Sequence, residues 1–334
     1  MAESTNNAGP DFFIVGAPKC GTTSLHTYLA EHPAIFMAKK EQHFFGADLA
    51  DTWPQPSRQQ YLASFAGSEW AERRGEASGW YLWSRDAADE IRAYEPAARI
   101  IAMVRNPVDM LPSLHSQYLH DGIEDLEDFG EALAAEEDRR IGLRIPPGNG
   151  ANPWRLFYRD IVCFCDQIER YLAAFGRQQV HIVVFDDLVA DPAATYRAVL
   201  TFLGVSTDFT PHFSVMNPNK HTRSRAVRRM LDEITDPKSG LRRVGTRLLP
   251  VHAVRSAMLR NVVPTVTRLN TSFAPRRDLS SDLRTRLARE LAPEIERLAR
   301  LLNRDLSSWS SSVVPTSAHA ATHVPSDALQ LSRR

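Results

Sequence analysis

The sequence predicts an α/β fold of three layers, a central parallel sheet flanked by helices, and three observations predict it. Three short, wholly apolar runs recur along the chain, at Phe12–Val15, Ile100–Val104 and Ile182–Phe185. A run that is apolar at every position fits a strand buried on both faces. Each run is followed by turn residues and then by a helical pattern, the alternation expected of a parallel sheet with helices on its faces. Finally, Leu279, Leu283, Leu287, Leu291, Ile295, Leu298 and Leu302 recur at helical spacing. That stripe predicts a helix with one side packed on the core.

Composition narrows the class. The 334 residues carry 40 Lys+Arg against 40 Asp+Glu. A balance of zero argues against a polyanion gripped by the whole surface, so no nucleic acid is expected as a partner. Three cysteines are too few for a disulfide framework and point to a reducing compartment. No apolar run reaches the ~18 residues of a membrane span, and the N-terminus has neither a basic nor an apolar signal region. A cytoplasmic protein is the expectation, and nothing in the sequence fixes an oligomeric state. Residues 1–10 are small and polar and read as a disordered N-terminus. Residues 307–334 are rich in Ser, Ala, Thr and Pro and read as a flexible tail. One domain, 11–306, lies between.

Local signals order the elements. After the first strand, Gly16 and Gly21 bracket a loop that opens a helix from Thr22 to Ala30. After the second, Asn106 reads as an N-cap with Pro107 as the first helical residue. Pro112 lies within that helix and should kink it just before Ser113. After the third, Asp186-Asp187-Leu188 reads as a turn. A helix then runs from Asp191-Pro192 to Leu203 and is closed by Gly204.

The most informative segment is Phe12–Ser24, FFIVGAPKCGTTS. A buried strand, Gly16-x-x-x-x-Gly21 and a helix opening on Thr22-Thr23-Ser24 form a phosphate cradle. Backbone N–H groups at a helix N-terminus suit an anion, and glycine lets the backbone come close to it. The frame is P-loop-like with one displacement. A Walker loop has Lys directly after the second Gly, followed by a Mg²⁺-binding Ser or Thr. Here Lys19 lies inside the loop and Thr22 holds the Walker lysine position, which argues against a Mg·ATP site.

With Lys19 before Cys20-Gly21-Thr22-Thr23-Ser24, the segment resembles the 5′-phosphosulfate loop of sulfotransferases. The donor of these enzymes is 3′-phosphoadenosine 5′-phosphosulfate (PAPS). Arg105-Asn106-Pro107, with Ser113 eight positions after the arginine, is similar to the family's 3′-phosphate site. A guanidinium and a hydroxyl there would both donate to phosphate. Phe185-Asp186-Asp187-Leu188, Asp191-Pro192 and Phe202-Leu203-Gly204 also match the family pattern. Asn217 with Arg223-Ser224-Arg225 looks like the later basic loop that covers the nucleotide. The resemblance runs from about Phe12 to Arg225. It implies a PAPS site built from Lys19, Cys20, Gly21, Thr22, Thr23, Ser24, Arg105, Ser113, Arg223 and Arg225, with no metal.

Sulfuryl transfer to a hydroxyl needs a base, cations on the transferring oxygens and stabilisation of the leaving phosphate. Lys19 is the candidate for the last two. Glu41-Gln42-His43-Phe44-Phe45 resembles the Glu-x-His-Phe-Phe stretch of the glycan-type branch, where the glutamate is the general base. By that match Glu41 is the expected base, and His43 a substrate-side or second base. The cytosolic small-molecule branch instead carries a Lys-Thr-His stretch. The corresponding Gly75-Glu76-Ala77-Ser78-Gly79 has neither lysine nor histidine, so a second cation is expected to be missing at Ala77. Glu76 is either a second carboxylate near the site or a surface or cap residue. Trp80, Tyr81 and Trp83 read either as lining of an acceptor pocket or as core, with core favoured. Cys20, Cys163 and Cys165 have no zinc-site spacing.

The favoured reading is therefore a PAPS-dependent sulfotransferase, ahead of a P-loop kinase-like enzyme and a non-catalytic PAPS-binding module. The neutral total hides two patches. Residues 121–138 hold nine acids and no Lys or Arg, and residues 220–260 hold eleven Lys+Arg against three acids. The basic stretch fits a small anionic nucleotide. The acidic stretch should repel a sulfated chain, so a small-molecule hydroxyl acceptor is expected rather than a glycan.

Overall fold

A computed structural model describes residues 9–147, 149, 152–214, 220–222, 265–266, 271–273 and 279–310. In chain order the first elements are β1 (Phe12–Gly16), α1 (Thr22–Ala30), β2 (Ile35–Met37), α2 (Arg58–Ala63), β3 (Arg73–Ala77) and α3 (Ala87–Tyr94). Next come β4 (Arg99–Val104), α4 (Pro107–Asp121), α5 (Phe129–Ala134), α6 (Glu136–Arg140), α7 (Tyr158–Ile161) and α8 (Phe164–Phe175). Then follow β5 (Val180–Val184), α9 (Phe185–Ala190), α10 (Pro192–Leu203), β6 (Lys220–Thr222) and β7 (Thr271–Phe273). Two further helices are α11 (Ser281–Leu302) and α12 (Ser307–Ser310).

Five strands form one parallel sheet in the order β2-β3-β1-β4-β5. β1 is central and buried at every residue, with Phe12 opposite Gly75 on one side and Arg99 on the other. The sheet carries helices on its faces, as the three apolar runs predict. β6 and β7 make a separate antiparallel pair. Because the main sheet is parallel, the loops after β1, β2, β3, β4 and β5 all emerge at one edge. The opening of a parallel α/β sheet, beyond the carboxyl ends of its strands, is where ligands bind.

The local signals place most boundaries. Asn106 caps α4 by accepting from the Val108 N–H at 3.0 Å. Asp191 caps α10 by accepting from Ala194, and Gly204 ends it at φ 67°. α11 buries Leu287, Leu291, Ile295 and Leu298, the apolar stripe. Other expectations need correction. Asp186-Asp187-Leu188 is not a turn: Phe185 leaves the sheet and opens α9 directly. α4 continues through Pro112, whose missing N–H costs one bond while Asn106 and Pro107 secure the first turn. Residues 307–310, read as the start of a tail, form α12, which buries Trp309; its indole N–H donates to Asp186 at 2.7 Å. At the other end, the Gly9 carbonyl already accepts from Arg74 at 3.0 Å.

Two of the nine acids in the acidic stretch are withdrawn from its surface, while six others stay exposed. Glu124 is fully buried and accepts two bonds from Arg139, at 2.9 and 2.7 Å. Buried Glu136 pairs with Arg159 at 3.1 Å, and Asp128 caps α5. The compensating cations lie just beyond residue 138 or farther along the chain, which a local count misses.

Candidate active site

The five loop exits frame a cavity of about 570 Å³. The loop after β1 makes its floor. Gly16, at φ 140°, lies so near β3 that a Cβ there would come within 2.3 Å of the Gly79 carbonyl oxygen. Gly21, at φ 88°, starts α1, and a Cβ there would meet Phe185 at 2.9 Å. No side chain caps α1, so its first turn faces the cavity with Thr22, Thr23 and Ser24 on the lining. That is the anion-binding arrangement of a helix N-terminus.

Two lysines converge there. Lys19, in a left-handed conformation at φ 63°, lines the cavity and donates to Gln117 at 2.9 Å. Lys40, from the segment after β2, donates to the hydroxyls of Thr22 and Thr23, both at 3.0 Å. Burial pushes the Lys40 ammonium below its usual pKa, partly offset by Glu41 at 3.5 Å. Lys40 is the cation that sequence reasoning missed. The family's strand lysine is absent at Ala77, but a lysine reaching in from the neighbouring loop occupies the same cavity. The signal was present in Lys39-Lys40-Glu41; only the fold could tell which of the two lysines turns inward.

The loop after β4 brings the second anion set. Arg105 lies over the Phe185 ring at 4.5 Å and donates to the Lys19 carbonyl at 3.2 Å. Ser113, only 4% exposed, lines the same cavity. Apolar and aromatic residues from α1, α9 and the chain after α10 (Tyr28, Phe185, Leu188 and Phe213) complete this end.

The loops after β2 and β3 bring the acid–base candidates to the same cavity. Glu41 accepts from the Gly79 N–H at 3.1 Å, and its backbone N–H donates to the Ala77 carbonyl at 2.8 Å. His43 Nε2 lies 3.5 Å from the Glu41 carboxylate, and its ring stacks on Trp53 at 4.5 Å and 7°. Burial pushes the imidazole below its usual pKa, so the neutral form, able to accept a proton, is favoured. Glu41 and His43 take positive φ, 61° and 50°, which costs roughly 1–3 kcal/mol each and persists only where the surroundings impose it. Trp80 and Arg155 complete this wall. The Arg155 guanidinium lies over Trp53 at 5.4 Å and over Tyr118 at 5.5 Å.

A model of the sulfotransferase family matches residues 10–83 and 82–209 of this chain. The chain belongs to the sulfotransferase family. The solved sulfotransferase from Alicyclobacillus acidocaldarius is 30% identical and superposes with a TM-score of 0.64, over 90% of this chain and 99% of that one. Among curated sulfotransferases, Homo sapiens carbohydrate sulfotransferase 15 is 28% identical over 251 residues, 59% of this chain and 44% of that protein. Mus musculus bifunctional heparan sulfate N-deacetylase/N-sulfotransferase 4 is 28% identical over 228 residues, 64% of this chain and 24% of that protein. The chain thus spans less than half the length of these two curated relatives.

For a sulfotransferase site, the structure brings together Lys19, Gly21, Thr22, Thr23, Ser24, Glu41, His43, Arg105 and Ser113. It does not bring in the Cys20 side chain, which is buried beneath the loop against the Pro18 carbonyl, with burial pushing the thiol up to about 12. Arg223 and Arg225 lie outside the described residues, as does most of the basic stretch. Trp80 is only 8% exposed and yet forms part of the cavity wall, so it is lining as well as core. Tyr81 is core, as expected. Glu76 is neither surface nor cap but fully buried. Among the described residues no cluster of His, Cys, Asp and Glu could hold a metal, and no helix is long and apolar enough to cross a membrane.

Proposed function

We propose that the protein transfers the sulfuryl group of PAPS to a hydroxyl of a carbohydrate acceptor. The observation that carries this reading is that two lysines, an uncapped helix N-terminus and a carboxylate meet in one cavity, with a second anion site at the Arg105 end. PAPS supplies an activated sulfuryl group on a 5′-phosphate and a separate 3′-phosphate. The donor set fits both: Lys19, Lys40, Thr22 and Thr23 for the 5′ end, Arg105 and Ser113 for the 3′-phosphate. The aromatic residues between α1 and α9 offer the base an apolar seat.

Lys19 and Lys40 place two positive charges where negative charge builds on the transferring oxygens and on the leaving phosphate. The α1 N-terminus adds its partial charge to the same region. Glu41 is the base that takes the acceptor proton; its bond to Gly79 orients the carboxylate. His43, held neutral, stands beside it as a second proton acceptor or a partner for the acceptor hydroxyl.

Two considerations favour a carbohydrate over the small molecule that the acidic stretch suggests. The curated relatives carry carbohydrate and heparan sulfate in their names. Trp53 and Trp80 offer the flat apolar surface on which a sugar ring can lie, and Arg155 offers a donor beside it. The test is incubation with ³⁵S-labelled PAPS and a panel of simple glycosides, heparan-type oligosaccharides and phenols. Label on a sugar, lost in Lys19→Ala, is expected. Label on phenols alone would overturn the carbohydrate assignment. Tighter binding of Mg·ATP than of metal-free adenosine 3′,5′-bisphosphate would overturn the donor assignment.

A further inference from the structure

Beneath the catalytic loop lies a charged group to which the mechanism above gives no role. Glu76, on β3, is completely buried. One carboxylate oxygen accepts from the Tyr61 hydroxyl at 2.7 Å, and the other from Ser78 Oγ at 2.6 Å. Ser78 has then given away its single hydrogen, and its oxygen accepts from the His43 N–H at 3.2 Å. The Tyr81 hydroxyl, close enough to Glu76 to favour its charged form, accepts from the N–H groups of Phe44 and Phe45 at 2.8 and 3.2 Å. The backbone N–H groups of three consecutive residues in the loop that carries Glu41 and His43 therefore hang from two hydroxyls beside one carboxylate, and the Ser78 hydroxyl donates its hydrogen to it.

We propose that ionised Glu76 is a positioning residue: it fixes the Ser78 and Tyr81 hydroxyls as acceptors and so holds Glu41 and His43 in their left-handed, catalytic conformation. This rests on the reading of Glu41 as the base. The polarity matters as much as the contacts. A carboxylate can only accept, so a hydroxyl beside it turns its hydrogen towards it and its lone pairs towards the loop. A protonated Glu76 can itself donate, which competes for the lone pairs that the loop N–H groups use. Burial pushes the carboxyl up to about 7 against the lowering effect of the Ser78, Tyr61 and Tyr81 hydroxyls. The groups that feel its charge are Tyr61 from α2, Tyr94 from α3, Tyr171 from α8, Tyr81 after β3 and Glu41 from the loop itself. The loop should thus tighten as the pH rises through neutrality.

The test is amide hydrogen exchange at His43, Phe44 and Phe45 in the full chain, from pH 6 to pH 8, corrected for the intrinsic rate. Wild type should gain about tenfold protection across that range, because the opening of this segment is governed by these bonds. Glu76→Gln should be poorly protected at both ends of the range, with affinity for adenosine 3′,5′-bisphosphate kept within about twofold, because the nucleotide is held at the Lys19 end. Tyr61→Phe removes one donor from the carboxylate and leaves the Ser78 and Tyr81 links in place. It should move the protection midpoint to higher pH, a shift that a purely space-filling role for Glu76 would not produce. Protection that is flat with pH in wild type, or a midpoint unmoved in Tyr61→Phe, overturns the proposal even if Glu76→Gln does not fold. Activity separates the two readings. Full transfer by Glu41→Gln sinks the base assignment and this inference with it. An inactive Glu41→Gln beside a Glu76→Gln of wild-type rate and protection sinks this inference alone.

Discussion

The two sides of the cavity are built differently. On the side proposed for the donor, one continuous stretch from Phe12 to Ser24 supplies strand, glycine turn, Lys19 and helix N-terminus, with Lys40, Arg105 and Ser113 added from other loops. On the side proposed for the acceptor nothing is continuous. Glu41 and His43 hang from β3, Trp80 follows β3, Trp53 precedes α2 and Arg155 comes from a segment about a hundred residues away. A backbone site tolerates changes around it; an assembled one depends on partners far along the chain. Substitutions at the donor end should therefore act on nucleotide binding and chemistry directly. Those at the acceptor end should act on geometry and acceptor recognition.

The largest effects should fall at the two groups proposed to act on the reacting atoms, Lys19 and Glu41. Lys19→Ala is expected to lower kcat by roughly 10²–10³, the usual cost of losing one electrostatic donor at a developing charge. Single-turnover transfer measures this directly, and a loss under tenfold would move the main cation elsewhere. Glu41→Gln should cost roughly 10²–10⁴ in kcat, the range of general-base catalysis, with nucleotide affinity preserved. If nucleotide affinity falls with it, the loop serves the donor end as well and the contrast between the ends breaks. Lys40→Ala should fall between these and a simple contact, about tenfold to a hundredfold in kcat, because its charge is shared with Glu41.

Arg155→Ala should sharpen the comparison from the other side. It is expected to raise the acceptor KM by about tenfold, the equivalent of one hydrogen bond to a charged group, with kcat changed far less. A fall in kcat at unchanged KM would place Arg155 in the chemistry rather than in recognition.

The smallest expected effect concerns stability rather than rate. The Glu76 carboxyl lies at about 7 in the folded protein, raised from 4.5. Between those values the native state binds more protons than the unfolded chain, so this group lowers stability as the pH rises from about 4.5 to about 7. Denaturant titrations of wild type and Glu76→Gln should differ in slope within that window and run parallel above it. An equal slope in both would place the proton elsewhere. On the proposed role of Glu76, the ionisation that tightens the Glu41 loop also costs folding stability, a cost seen where a site holds a buried charge in a working geometry.

How much of this was legible beforehand follows the same division. The strand, glycine loop and helix of Phe12–Ala30 could be read from spacing, and Asn106-Pro107 and Asp191-Pro192 mark helix starts that the structure places at the same residues. Lys40 was visible only as one of a pair of adjacent lysines. Trp80 read as lining or core, with core favoured, because an aromatic residue beside a buried strand looks the same from sequence whether or not a cavity opens beside it. Glu124 and Glu136 read as part of an acidic surface patch because Arg139 and Arg159, which pair with them, lie just past the segment or farther along the chain.

By itself, the sequence determined the α/β alternation, the phosphate loop and the family, since each rests on residues a few positions apart whose backbone preferences are local. Only the tertiary structure decided which lysine turns inward to the Thr22 and Thr23 hydroxyls, that Glu76 is buried beneath the Glu41 loop, and that Arg155 and two tryptophans meet His43. Those facts depend on strand order. β3 pairs beside β1, so the loops after both open at one edge, and chain distance no longer says which side chains share a cavity.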